Sequence, residues 1–531
     1  MGLDPIDLQV VTGALRAACE EMGAALVRSA HSANIKERRD CSSGLFDAAG
    51  EMVMQAEHIP VHLGAMPAAV AAVLGEDHSE GRGGRAYILN DPFRGGTHLP
   101  DITVIAPVLS KDGELLGFAA NRAHHADVGG RVPGSMPADS TTLDEEGVVI
   151  APRVLDEDAI EELVEQMRQP AQRRADLRAQ LAANRIGARR LIELADRLGV
   201  DALREATGAV LDYSERRTRA CIAALPDGPR AARDVLEGID GDIELKLVAT
   251  VVGDRLILDF AGSAQQQRGN LNCPLAVTRS AAYFAVRVLT DPDVPPSAGA
   301  YRPIEVRAPE GSLLNARPDG SGGPAPAVAG GNVETSSRVA DLVLAAFGRA
   351  LGQGTMNNIT LGMEDTGGPA HGGSERRSSG GRRGAASGTP GFTYYETLGG
   401  GQGACPDADG PSGVHVAMSN TLNTPVEALE LEFPLRVVRH AIRRGSGGAG
   451  RHRGGDGIVR ELEAQAPMSY ALITERRRHA PPGADGGAPG ATGRNLLNGE
   501  ELPAKATGEL RPGDRLTIET PGGGGHGTPA V

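Results

Sequence analysis

At 531 residues, the chain is long enough for two to four domains or one large intertwined body. Hydrophobic residues make up 40% but aromatics only 3%, with no Trp, so any core must be built from Val, Leu, Ile and Ala. The formal charge of −14 argues against a general nucleic-acid binder.

Basic residues are almost all Arg: Lys occurs only at Lys36, Lys111, Lys246 and Lys505. No Gly-Lys dipeptide exists, which excludes a phosphate loop of the G-x-x-x-x-G-K-[ST] kind. Cys19, Cys41, Cys221, Cys273 and Cys405 are scattered and form no C-x-x-C pair. This fits reduced cytoplasmic thiols and neither a disulfide frame nor a zinc knuckle. The first residues lack the basic and apolar regions of a signal peptide. No apolar run reaches the ~18 residues of a membrane helix.

In chain order, Val11, Leu15, Cys19, Met22 and Leu26 form one apolar stripe, which predicts a helix from about Asp7 to Ser32. Glu37 to Asp47 leads into a strand pair turning near Gly50. His58 and His62 are four apart, but Pro60 disfavours helix at Ile59. The reading is a loop entering a helix from Pro67 to Leu74, with both histidines as candidate site-lining residues. Ordinary hydrogen-bonded loop histidines are the competing interpretation.

Asn90 and Asp91, also candidates to line the site, open a stretch that runs to Ile150. Here His98-Leu-Pro-Asp101 is echoed by His124-His-Ala-Asp127. Between them, Thr103–Leu109 is apolar, Lys111–Glu114 is a polar turn and Leu115–Ala120 is the return, a β-hairpin pattern. A hairpin brings its ends together, so two imidazoles and two carboxylates should converge, a ligand set suited to a divalent transition metal. A single His-x-x-Asp carries little weight, since such pairs arise by chance and often mark a hydrogen bond. The repeat, and the flanking Gly95-Gly96 and Gly129-Gly130, favour a built site.

Residues 155 to about 223 read as helical, with Gly187 and Gly199 as breaks. Ile243–Val251 and Leu256–Phe260 form a hairpin turning at Gly253-Asp254. Thr278–Leu289 is a helix, and another follows Gly330–Asp341. The Gly-, Ser- and Arg-rich segment 366–391 reads as a flexible insertion, and a β-rich C-terminal quarter follows. Gly445-Ser-Gly447-Gly-Ala-Gly450 satisfies G-x-G-x-x-G, but the Arg451–Gly457 run after it cannot open the helix a dinucleotide fingerprint needs.

The expected fold class is therefore mixed α/β (α+β). It is a large multi-layer body with an N-terminal helix, a hairpin-borne metal site, a central helical subdomain and a β-rich end. The expected regions are 1–154 with the metal-site motifs, 155–225 helical, 226–365 α/β, 366–391 inserted and 392–531 β-rich.

Several long strings carry a resemblance: NDPFRGGTHLPDITVIAP, NRAHHADVGGRVPGSMP, EEGVVIAPRVL, GGNVETSSRVAD, SNTLNTPVEALE and RRGSGGAGRHRGGDGIVRE. Together they resemble the hydantoinase B/oxoprolinase family along nearly the whole chain, the 366–391 insertion apart. Relatives include beta subunits of ATP-dependent N-methylhydantoinase, 5-oxoprolinase and caprolactamase, and subunits of acetone and acetophenone carboxylases. The resemblance implies a partner of the hydantoinase A type, with an actin-like fold that binds ATP, in a cytoplasmic hetero-oligomer. It also implies a divalent metal (Mn, Zn, Fe or Co) on His98, Asp101 and His124, with Asp127 as a fourth ligand or an acid behind the ligands; in a ring-opening reaction Asp127 or His125 is the expected general base. The implied reaction opens a lactam or hydantoin ring with metal-bound water after phosphoryl activation in the A subunit. The alternative is a subunit of an ATP-dependent ketone carboxylase.

Overall fold

The protein, described from a computed structural model, is defined over residues 4–75, 84–320, 322–364 and 391–529. Apart from Gly391, the expected insertion lies outside these residues.

The N-terminal helix Pro5–Ser29 is capped by Asp4, whose side chain accepts from the Ile6 amide at 2.7 Å. Its predicted stripe, Val11, Leu15, Cys19, Met22 and Leu26, is buried. The helix lies on a six-stranded antiparallel sheet made of β1 (Cys41–Asp47), β2 (Met52–Glu57), β3 (Ala86–Leu89), β4 (Asp101–Leu109), β5 (Leu115–His124) and β6 (Arg153–Leu155). Their spatial order is β2-β1-β5-β4-β3-β6. The hairpin predicted between the two His-x-x-Asp motifs is β4–β5, at the centre of this sheet.

Three helices follow: Glu157–Val164, Pro170–Leu198 and Val200–Ala223. Gly199 breaks the chain between the last two as expected, but Gly187 does not. It lies inside Pro170–Leu198, where a Cβ would stand 2.3 Å from Met22 Sδ of the N-terminal helix. Its role is close helix–helix approach, and the helix accepts its lower propensity there.

The hairpin expected over 243–260 is present as Asp242–Val252 and Arg255–Asp259. It sits in a four-stranded sheet with Gly228–Glu237 and Ile304–Arg307. A second four-stranded sheet joins Phe392–Glu396, Asn358–Met363, Met468–Ile473 and Lys505–Leu510. A five-stranded sheet completes the β-rich end. Residues 445–450 lead to the strand Gly457–Ala464 and open no helix, as their sequence context predicts. The largest apolar core runs from Phe46 and Phe118 through Leu258, Val277 and Val339 to Ile473. Segments far apart in sequence thus share one interior, and the architecture is α+β.

Candidate metal centre

Register builds the site. On the β4–β5 ladder Asp101 is paired with His124, so two motif residues 23 positions apart in the chain become direct cross-strand neighbours. His98 lies in the turn just before β4, and its Nδ1 is 3.1 Å from Asp101 Oδ2. His124 Nδ1 is 3.4 Å from Asp101 Oδ1. A third imidazole arrives from the single-turn 3-10 helix Pro60–His62: His62 Nε2 is 3.4 Å from Asp101 Oδ2. All four side chains are buried.

These contacts are close but poorly aligned as hydrogen bonds. His98 Nδ1 and His62 Nε2 are buried, within 3.4 Å of the carboxylate, yet neither has a hydrogen-bond partner. His124 Nε2 is likewise without one. Unpartnered ring nitrogens in a dry interior are costly. Here the ligand atoms of His98, Asp101 and His124 all lie within 4.8 Å of one another and could hold a metal ion. Imidazole and carboxylate suit Mn, Fe, Co or Zn.

The electrostatics agree with ligation. Burial pushes the Asp101 carboxyl up, but the charge of His98 and the close imidazoles of His124 and His62 outweigh it, holding the carboxyl well below the usual range. Burial lowers the His124 pKa, which keeps that ring in the neutral form a ligand requires. Outer contacts fix the donors. Thr97 Oγ1 donates to Asp101 Oδ2 at 2.6 Å, and Ser42 Oγ lies 2.9 Å from His62 Nδ1.

The cluster faces a small cavity whose far wall comes from distant segments. Tyr395 stacks on His124 with centroids 4.5 Å apart. The buried Arg38 donates to Tyr395 O at 2.8 Å and to Thr397 and Thr421, and lies over the Tyr395 ring. Asn332 reaches within 3.5 Å of His98 Nε2, while its own Oδ1 has no partner. It sits in a π-helical turn, Gly331–Thr335, of the sort that often marks functional sites. Gly331 is required there, because a Cβ would stand 1.8 Å from the Asn272 carbonyl oxygen. Asp40 and Ser419 also line the cavity, and Ser419 Oγ is 2.6 Å from His415 Nδ1. Burial pushes His415 down to about 4.

The remaining residues singled out from sequence lie elsewhere. His125 turns to the other side of the strand: its Nε2 is 2.9 Å from Gln180 Oε1 of helix Pro170–Leu198, and burial pushes its pKa down to about 4. Asp127 organises a loop, accepting from the Gly129 and Gly134 amides and from Ser135, with Arg168 at 3.3 Å. Neither lines the cavity. Asn90 clasps the loop before β4 through Leu99 O, Val148 O and the Ile150 amide. Asp91 caps the next turn at the Phe93 amide. His58 borders a different, larger cleft. Asp40, Asn332, Tyr395, Ser419 and His415 escaped the sequence reading. Only Asn332 and Ser419 carried a local signal there, inside GGNVETSS and at the head of SNTLNTPVEALE.

With this geometry in view, comparison with known proteins is decisive. The hydantoinase B/oxoprolinase profile matches residues 4–529. This chain belongs to the hydantoinase B/oxoprolinase family. It is 37% identical to 5-oxoprolinase 1 of Arabidopsis thaliana over 99% of its length, while covering 42% of that protein. The chain thus spans about two fifths of the length of the first curated relatives it matches. Its fold is similar to that of the ATP-dependent caprolactamase from Pseudomonas jessenii, with TM-score 0.87, 28% identity, and coverage of 99% of this chain and 91% of that one. Acetone carboxylase shares the fold at TM-score 0.79 and 19% identity, covering 99% of this chain and 76% of that one.

Proposed function

We propose that this hydantoinase B/oxoprolinase chain is the B-type subunit of an ATP-dependent cyclic amide hydrolase. It acts on a lactam or hydantoin whose carbonyl oxygen has been phosphorylated by a hydantoinase A-type partner that binds ATP, in a cytoplasmic hetero-oligomer. The observation that carries this reading is the convergence of three imidazoles on Asp101 in a small buried cavity, in a chain whose fold follows that of a caprolactamase end to end.

His98, Asp101 and His124, with His62 beside them, would hold a divalent ion, which would supply Lewis acidity and water activation near neutral pH. The chain's own residues do the rest. Asn332 offers an unpartnered amide oxygen to a donor on the substrate, such as a ring N–H. Tyr395 holds the His124 ring in plane and closes the wall to bulk water. Asp40 accepts the proton released when water attacks. The His415–Ser419 pair gives a second route, in which Ser419 Oγ takes the proton of the attacking water as it passes its own to the neutral His415 Nδ1. His125 and Asp127 serve from behind, one seating β5 on the long helix, the other shaping the loop after it.

Mixing the purified chain with an A-type partner, ATP and a panel of 5-oxoproline, hydantoins and caprolactam tests this. Lactam-dependent ADP release is the expected result, and its absence across the panel overturns the proposal. Incorporation of labelled bicarbonate into a ketone instead would make the carboxylase reading correct. The acetone carboxylase likeness itself speaks for the fold alone.

A further inference from the structure

A cavity larger than the metal cavity lies elsewhere in the molecule. It is a cleft of about 590 Å³ between the N-terminal helix, β2 and the segment around Pro292–Pro296. Four arginines line it, Arg16, Arg28, Arg39 and Arg287, against the two acids Glu20 and Asp293. The excess is positive in a chain whose net charge is −14. Arg287 is engaged, donating to Val294 O and Pro292 O. The side chains of Arg16, Arg28 and Arg39 make no ion pair and no hydrogen bond among the described residues.

The inner wall holds a second, independent observation. Gln55 lines the cleft, is 3% exposed, and has neither Oε1 nor Nε2 hydrogen-bonded. His58 Nδ1, on the same wall, is also buried without a partner. A buried carboxamide with both ends unpaired is costly unless a ligand completes it. A primary amide reads both a donor and an acceptor, as an amide or urea group presents.

The cleft and the metal cavity share a wall. Arg39 faces the cleft and its neighbour Asp40 the metal cavity, across a backbone in the left-handed region at Arg39 (φ 55°). His58 faces the cleft, while Ile59, Val61 and His62 face the metal cavity.

We propose that this cleft is a second small-molecule site, back to back with the metal centre, for an anion that also carries an amide-like group. Gln55 and His58 recognise the amide end, and the free arginines take the charge, a carboxylate or a phosphate. The site stands on these residues alone and does not depend on the proposed activity.

Calorimetric titration of the full chain tests it with three probes: 5-oxoproline (a lactam with a carboxylate), 2-pyrrolidinone (the same ring uncharged) and inorganic phosphate. Each is run on the unaltered protein and on Asp101→Asn, Gln55→Leu and Arg39→Gln. The expected result is 5-oxoproline binding that survives Asp101→Asn. It should weaken roughly fivefold in Gln55→Leu, the factor of one neutral hydrogen bond, and at least roughly tenfold in Arg39→Gln, the factor of a charge-assisted one. 2-Pyrrolidinone should bind at least about tenfold more weakly. Phosphate binding with the same variant pattern, without 5-oxoproline binding, would keep the anion site and make phosphate its charge. Thermal denaturation separates binding from folding. Gln55→Leu removes an unpaired buried amide, so it should be no less stable than the unaltered chain, and Arg39 is exposed. The proposal is overturned if no anion binds at millimolar concentration, or if binding ignores both Gln55→Leu and Arg39→Gln. Equal affinity for 2-pyrrolidinone overturns it too. Binding lost in Asp101→Asn alone would belong to the metal cavity and also overturn it.

Discussion

Asp101 and His124 face each other on one rung of the β4–β5 ladder. A shift of register by one residue would turn one of them to the other face of the sheet. His125 shows the consequence, since one step further along the chain puts its ring against Gln180 and the long helix. Thr97 and Ser42 then hold Asp101 and His62 from outside. Thr97→Val and Ser42→Ala should each weaken metal retention by about 10–100-fold while the fold stays intact, as is usual for outer contacts of a metal site. Competition with a graded chelator measures this, and unchanged retention in both would remove these residues from the site.

The hairpin and its two His-x-x-Asp ends were legible because alternating apolar runs around a polar turn specify local pairing. From that pairing alone, His98, Asp101 and His124 could be expected to meet. The far wall was not legible. Asn332, Tyr395 and Ser419 reach the cavity only through tertiary packing, hundreds of residues from the hairpin, and nothing in their local periodicity announces it. Gly187 misled for a related reason. A glycine in a helical pattern reads as a break, but here the long helix needs the small residue to accommodate Met22.

Gly187→Ala pits two effects against each other. Helix propensity favours Ala by ~1 kcal/mol, whereas overpacking costs ~1–3 kcal/mol. Met22 is fully buried, and its Sδ would stand 2.3 Å from the new Cβ, so overpacking should win. The expected outcome is a lower urea midpoint, by up to about 2 kcal/mol of stability. A stabilised variant would mean that the two helices separate without cost.

Acid should loosen the junction between the 228–237 strand, the helix Ser336–Ala346 and the loop after Ile473. Burial raises the Asp234 carboxyl, but the flanking guanidiniums of Arg338 and Arg476 outweigh it and bring it from 3.8 to about 2. A carboxyl lowered on folding contributes stability above its unfolded pKa and loses it as pH falls through the folded value. The contribution, on the order of 2 kcal/mol, should be intact above about pH 4 and gone below about pH 2. Denaturant midpoints across that window should fall, and Asp234→Asn should flatten this part of the decline. An equal slope in the variant would contradict the assignment.

Asp40 is the carboxylate besides Asp101 that lines the metal cavity. Asp40→Asn should lower kcat by ~10²–10⁴, the range of a lost general base, while bound metal and KM stay near their original values. Ser419→Ala should cost less, since Asp40 remains. Steady-state kinetics on the reconstituted complex, with metal content measured on the same samples, decides this. Full turnover in Asp40→Asn would move the base elsewhere.

The most direct measurement is the metal content of four purified variants by elemental analysis, with circular dichroism as the folding control. A centre built on Asp101 predicts that His98→Ala, Asp101→Ala and His124→Ala each lose the ion and all turnover yet remain folded. His125→Ala should keep the ion, because its ring points to Gln180. Loss of metal in His125→Ala with retention in His124→Ala, or a full complement in all four, would contradict it.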